Sequence, residues 1–125
     1  MTNEASPLID AAHIADLVAL DQGRGAMFAQ FVDLFLSNVE DRIARLHDHA
    51  RLADAPALAD AAHALRGAAG NVGATAFADL CGGIESAAKV RDLEAAAAAI
   101  SVLEMGCEAT RMALVAAVTQ AARGA

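Results

Sequence analysis

Residues 24–51 read RGAMFAQFVDLFLSNVEDRIARLHDHAR, and the apolar positions in this stretch decide the fold class. Phe28, Phe31, Phe35, Val39, Ile43 and Leu46 recur at steps of three and four residues, the spacing that places side chains on one face of an α-helix. Three of the four Phe residues of the chain lie here. No period-two alternation and no hairpin signal occurs anywhere in the sequence.

Working outward, an amphipathic helix is expected over about 10–20, carrying Ile14, Leu17 and Val18 and broken by Asp21-Gln22-Gly23. The long helix covers about 24–51. Asp54 can cap the next one, with Pro56 in its first turn, and Asn71-Val72-Gly73 is a left-handed stop that ends it near 72. A fourth helix follows over about 75–89. The last starts at the N-cap Asp92, runs through Leu93, Ile100, Leu103 and Leu114, and ends near 120, leaving residues 121–125 to fray. Short connections between long helices imply antiparallel neighbours. The expectation is an all-α chain: an up-down antiparallel four-helix bundle with a short extra N-terminal helix, forming one domain over 1–125.

Composition narrows the function. The hydrophobic fraction is 57%, much of it alanine, which favours helices. A net charge of −7 and only 3% aromatics argue against nucleic acid, whose phosphates call for clustered cations and whose bases call for stacking surfaces. Residues Met1 to Pro7 lack the pattern of a secretory leader, and the alanine run 95–99 is too short to span a bilayer. A cytoplasmic protein without membrane contact is expected. Cys81 and Cys107 have no metal-type spacing and are read as two buried thiols.

The third helix carries the chemistry. At 100° per residue, Leu58, Ala61, Leu65, Ala68 and Val72 cluster towards the core. His63 falls nearly opposite, with Gly67 one turn on and Gly70 two turns on, flanked by Arg66 on one side and Asp60 on the other. Each interior glycine costs about 1 kcal/mol against alanine, so stability does not explain them. Access to the imidazole does, because no Cβ shields it; a tight helix crossing at the glycines is the alternative. His13, His47 and His49 lack such a setting and are read as ordinary histidines. The last two point to different helix faces, which is poor metal geometry.

The run from His63 to Ala74, HALRGAAGNVGA, followed by Leu80-Cys81 and Ile84-Glu85, resembles the histidine-containing phosphotransfer (HPt) family. The matching pattern is His-x-Leu-Lys-Gly, a Gly-Ala six residues beyond the first Gly, a Leu-Cys pair, and a hydrophobic residue followed by Glu. Two positions depart from it: Arg66 stands for the commoner Lys, with a bulkier forked head, and Ala68 for a frequent Ser.

The resemblance implies a phosphorelay carrier of two-component signalling. His63 would accept a phosphoryl group and pass it to or from a receiver-domain aspartate, Arg66 would stabilise phosphate charge, and Gly67 would give steric access. Glu85, at the edge of the stripe Phe77, Leu80, Cys81 and Ile84, is the candidate acceptor that orients the imidazole, as an aspartate does in a hydrolytic triad; an ordinary surface carboxylate is the other reading. The implied partners are response-regulator receiver domains and a sensor or hybrid histidine kinase. No cofactor or metal is expected in this chain, the Mg²⁺ belonging to the receiver domain. The glycines at 67, 70 and 73 lie in a helix and its end and form no nucleotide-binding loop, so no kinase activity of its own is expected. Two alternatives remain: a non-phosphorylated helical adaptor docking on a receiver domain, and the phosphoacceptor module of a histidine kinase.

Overall fold

A computed structural model describes residues 7–124. The stretch 1–6, most of the segment read above for a leader, lies outside the described residues, as does Ala125. Among the described residues five helices occur in order: α1 (Ala11–Ala19), α2 (Ala26–Arg51), α3 (Ala55–Asn71), α4 (Thr75–Lys89) and α5 (Leu93–Gly124). The main packing runs α2 on α3, α3 on α4, α4 on α5 and α5 back on α2, with α3 and α4 the most extensively joined and α1 against α2. This is the all-α, up-down four-helix bundle with a short extra helix. The last helix does not stop near 120. Its final turns are built of alanine, the best helix former, and Ala121 packs against the backbone of Gly25, so α5 holds to Gly124.

Aspartates cap α1, α3 and α5. Asp10, Asp54 and Asp92 each accept a backbone N–H three residues on, at 3.1 Å, and such a cap contributes about 1 kcal/mol. Asp21 accepts from Gly25 and Met27, both at 3.0 Å; the Met27 bond is the largest reason its carboxyl titrates below the usual range. The bundle turns share one device. Ala53, Gly73 and Arg91 take left-handed backbone, φ 56°, 80° and 59°, and the next N–H reaches five residues back, as from Ala74 to Ala69 at 2.9 Å. Only Gly73 was foreseeable as a stop.

Gly73 is required for a second reason. A Cβ there would lie 2.9 Å from Cγ1 of Ile14, because α1 is stitched onto the α3–α4 turn. Asp10 N–H donates to Gly73 O at 2.8 Å, and Ala76 N–H to Pro7 O at 3.1 Å. His13 joins them through Nε2, 3.0 Å from Asn71 O at the end of α3, where a donor satisfies an orphan carbonyl.

The core joins Phe28, Val32, Phe35, Val39, Ile43 and Leu46 of α2 to Leu58, Leu65, Phe77, Ile84, Ile100, Leu103 and Leu114. Phe35 and Phe77 meet edge to face, centroids 5.5 Å apart, a favoured aromatic arrangement. Phe31 is only half-buried, Val32 taking the inward place. On α3 the expected face needs correction. Leu58, Leu65 and Val72 are buried as expected, but Ala62 and Ala69 are fully buried while Ala61 and Ala68 are half-buried. The buried arc is turned by one residue because α4, the closest neighbour, lies on that side, and alanines give no size signal to fix the axis. His63 therefore stands beside α4 rather than opposite the core. Cys107 also differs: it is half-buried, in a groove with Glu40, Glu104, Glu108 and Arg111. Cys81 is buried, and burial pushes its thiol up to about 12.

Candidate functional site

The rotation of α3 brings its histidine to a partner. His63 is mid-helix with its side chain 65% exposed, and Nδ1 lies 3.1 Å from Oε2 of Glu85 on α4. Glu85 sits on the flank of α4 facing α3, its side chain only 8% exposed. A carboxylate can only accept, so this contact requires the ring proton on Nδ1. The lone pair is then on Nε2, at the far side of the ring. Glu85 is thus no ordinary surface carboxylate.

Two cations also converge on Glu85. Lys89 Nζ is 3.0 Å from Oε2, one helical turn along α4, and Arg66 Nη1 is 3.5 Å from Oε1. The Arg66 contact is an ion pair without hydrogen-bond geometry; among the described residues Oε1 has no hydrogen-bond partner although it is buried. The Lys89 hydrogen bond is the largest cause holding the Glu85 carboxyl below its ordinary range, opposed by burial and aided by His63. With His63 neutral, Arg66, Lys89 and Glu85 sum to one positive charge on the α4 side of the ring, and Asp60 lies one turn before His63 on α3.

The glycines are open. A Cβ at Gly67 or at Gly70 would meet nothing within 4 Å, which rules out a tight helix crossing at either. The structure thus brings together His63, Arg66 and Glu85, with Gly67 on the bare face beside them. Lys89 is the residue that sequence reasoning missed. It is the only lysine of the chain, four residues after Glu85, and that ion-pair spacing on a helix would have found it. His47 lies apart, with Nε2 2.9 Å from Glu104. Among the described residues no group of three or more His, Cys, Asp or Glu could hold a metal ion, and no helix is long and apolar enough to cross a membrane.

No curated protein matches the chain by sequence. The structure is similar to the crystal structure of histidine-containing phosphotransfer protein B (HptB) from Pseudomonas aeruginosa PAO1, with a TM-score of 0.80 and 26% identity, covering 92% of this chain and 97% of that one. Residues 30–121 match the family model of the Hpt domain. That match spans all four bundle helices and every residue of the site, and the chain belongs to the Hpt domain family.

Proposed function

We propose that this chain is a phosphorelay carrier that holds a phosphoryl group on Nε2 of His63 and exchanges it with receiver-domain aspartates in cytoplasmic two-component signalling. The observation that supports the reading is the His63 Nδ1–Glu85 contact at 3.1 Å, which favours the ring proton on Nδ1 and so Nε2 as the nucleophile on an open face. Family membership supplies the reaction class.

In the forward step the Nε2 lone pair attacks the phosphorus of an aspartyl phosphate. The nitrogen–phosphorus bond forms as the acyl oxygen–phosphorus bond breaks, and the electron pair leaves on the aspartate carboxylate. The ring becomes cationic, and Glu85 stabilises it through the retained Nδ1 proton. Arg66 and Lys89 offset the charge on the phosphoryl oxygens; such transfer is mainly positioning plus electrostatic stabilisation. The reverse step returns the group to a second aspartate. The Mg²⁺ is supplied by the receiver domain.

The test is incubation with a phosphorylated receiver domain on one side, and with ATP and Mg²⁺ alone on the other. Label should move from the receiver to this chain, acid-labile and alkali-stable as a phosphorus–nitrogen bond is, while ATP alone gives none. A receiver that binds without losing its label would make the chain an adaptor.

A further inference from the structure

Two adjacent glycines, Gly82 and Gly83, lie within α4, although glycine is a poor helix former. Their surroundings differ. A Cβ at Gly83 would meet nothing within 4 Å, whereas one at Gly82 would lie 3.4 Å from Cδ and 3.5 Å from Nη1 of Arg66. That same Nη1 is the atom 3.5 Å from Glu85 Oε1. The guanidinium reaches Glu85 across the bare backbone of Gly82. An alanine would fill the gap to contact, and a longer side chain would compete for the space the guanidinium occupies.

The forked head of arginine needs more room than an ammonium, and Arg66 stands where the family pattern has Lys. We infer that Gly82 is a positioning residue for Arg66: its missing side chain seats the guanidinium over α4, between Glu85 and the place an incoming phosphoryl group takes beside His63. The functional meaning rests on the phosphoacceptor reading of His63; the seating of Arg66 does not. Because the Arg66 side chain is 48% exposed, a larger residue at 82 displaces it into solvent rather than forcing α3 and α4 apart. The fold therefore survives the substitution.

The experiment compares wild type, Gly82→Gln, Arg66→Ala and the double variant, with phosphoramidate as a small phosphoryl donor. In parallel, the heteronuclear NOE of Arg66 Nε–Hε reports how well that side chain is held. Gly82→Gln should keep or raise the melting temperature, lower the Arg66 NOE, and slow labelling about tenfold, the loss of one charge-assisted contact. The double variant should label no more slowly than Arg66→Ala alone, since the two changes remove the same contact. Gly82→Gln with Arg66→Lys should recover part of the rate, the slimmer ammonium fitting where the fork does not. An unchanged Arg66 NOE in Gly82→Gln, or a double variant slower than Arg66→Ala, overturns the inference. If wild type takes no label, the phosphoacceptor reading falls, and the NOE still decides whether Gly82 seats Arg66.

Discussion

Nδ1 of His63 and Oε2 of Glu85 face each other at 3.1 Å across the α3–α4 contact, an exposed ring held by a buried carboxylate. Replacing Glu85 by Ala removes the acceptor, so the ring loses its fixed tautomer and the cation formed on phosphorylation loses its partner. A charge-assisted hydrogen bond contributes about 1.5–3 kcal/mol, and exposure of the ring puts this one at the low end. Phosphoryl acceptance should fall about tenfold, and Glu85→Gln, which keeps an oxygen acceptor, should retain more of the rate. An unchanged rate in Glu85→Ala would remove the orienting role.

The same carboxyl makes stability depend on pH. Its folded-state pKa is depressed, chiefly by the Lys89 hydrogen bond, so it contributes stability above its unfolded value and loses it as pH falls through the lowered folded value. Urea midpoints of wild type and Glu85→Gln should differ most at neutral pH and converge as the solution is acidified below the ordinary carboxylate range. Lys89→Met should move that convergence to higher pH. A difference that does not vary with pH would contradict the assignment.

Gly67 separates helix propensity from function. Because a Cβ there meets nothing within 4 Å, Gly67→Gln should stabilise the protein by several tenths of a kcal/mol. The added side chain lies one turn beyond His63, on the face the partner must approach, so transfer should drop sharply while the melting temperature holds or rises. A destabilised variant would contradict the open face, and a stable, fully active one would remove steric access as the reason for the glycine.

Cys81 is fully buried with its thiol pushed up to about 12, so it should not react with a maleimide in the native state, the thiolate being the nucleophile. Half-buried Cys107 should label first. Cys81 should label only at the rate of global opening, which mass spectrometry of peptides around each cysteine would show; fast native labelling of Cys81 would contradict the packing of α4.

The bundle was legible because large residues carried it. The Phe28-to-Leu46 stripe marks α2, and Asp54 and Asp92 mark helix starts that the structure shows capped. Where alanine replaced larger residues the signal failed. Ala61 and Ala62 look alike in sequence, so the roll of α3 is not legible there: the helical wheel sets His63 opposite the core, and the structure turns it towards α4. The left-handed Ala53 and Arg91 carried no glycine to announce them. In the site, Glu85 was legible through family resemblance and Arg66 through its place on the helix. Lys89 was legible only as an i, i+4 partner of Glu85 on α4, and the α3–α4 contact is what brings that pair to His63.

The central claim is that His63 alone carries the phosphoryl group, and wild type beside His63→Gln tests it most directly. Both are incubated with a phosphorylated receiver domain, and the label on this chain is quantified. The ring is 65% exposed, so the variant should fold with an unchanged circular dichroism spectrum and take no label, while wild type takes an acid-labile one. A folded His63→Gln protein that is still labelled would contradict the account.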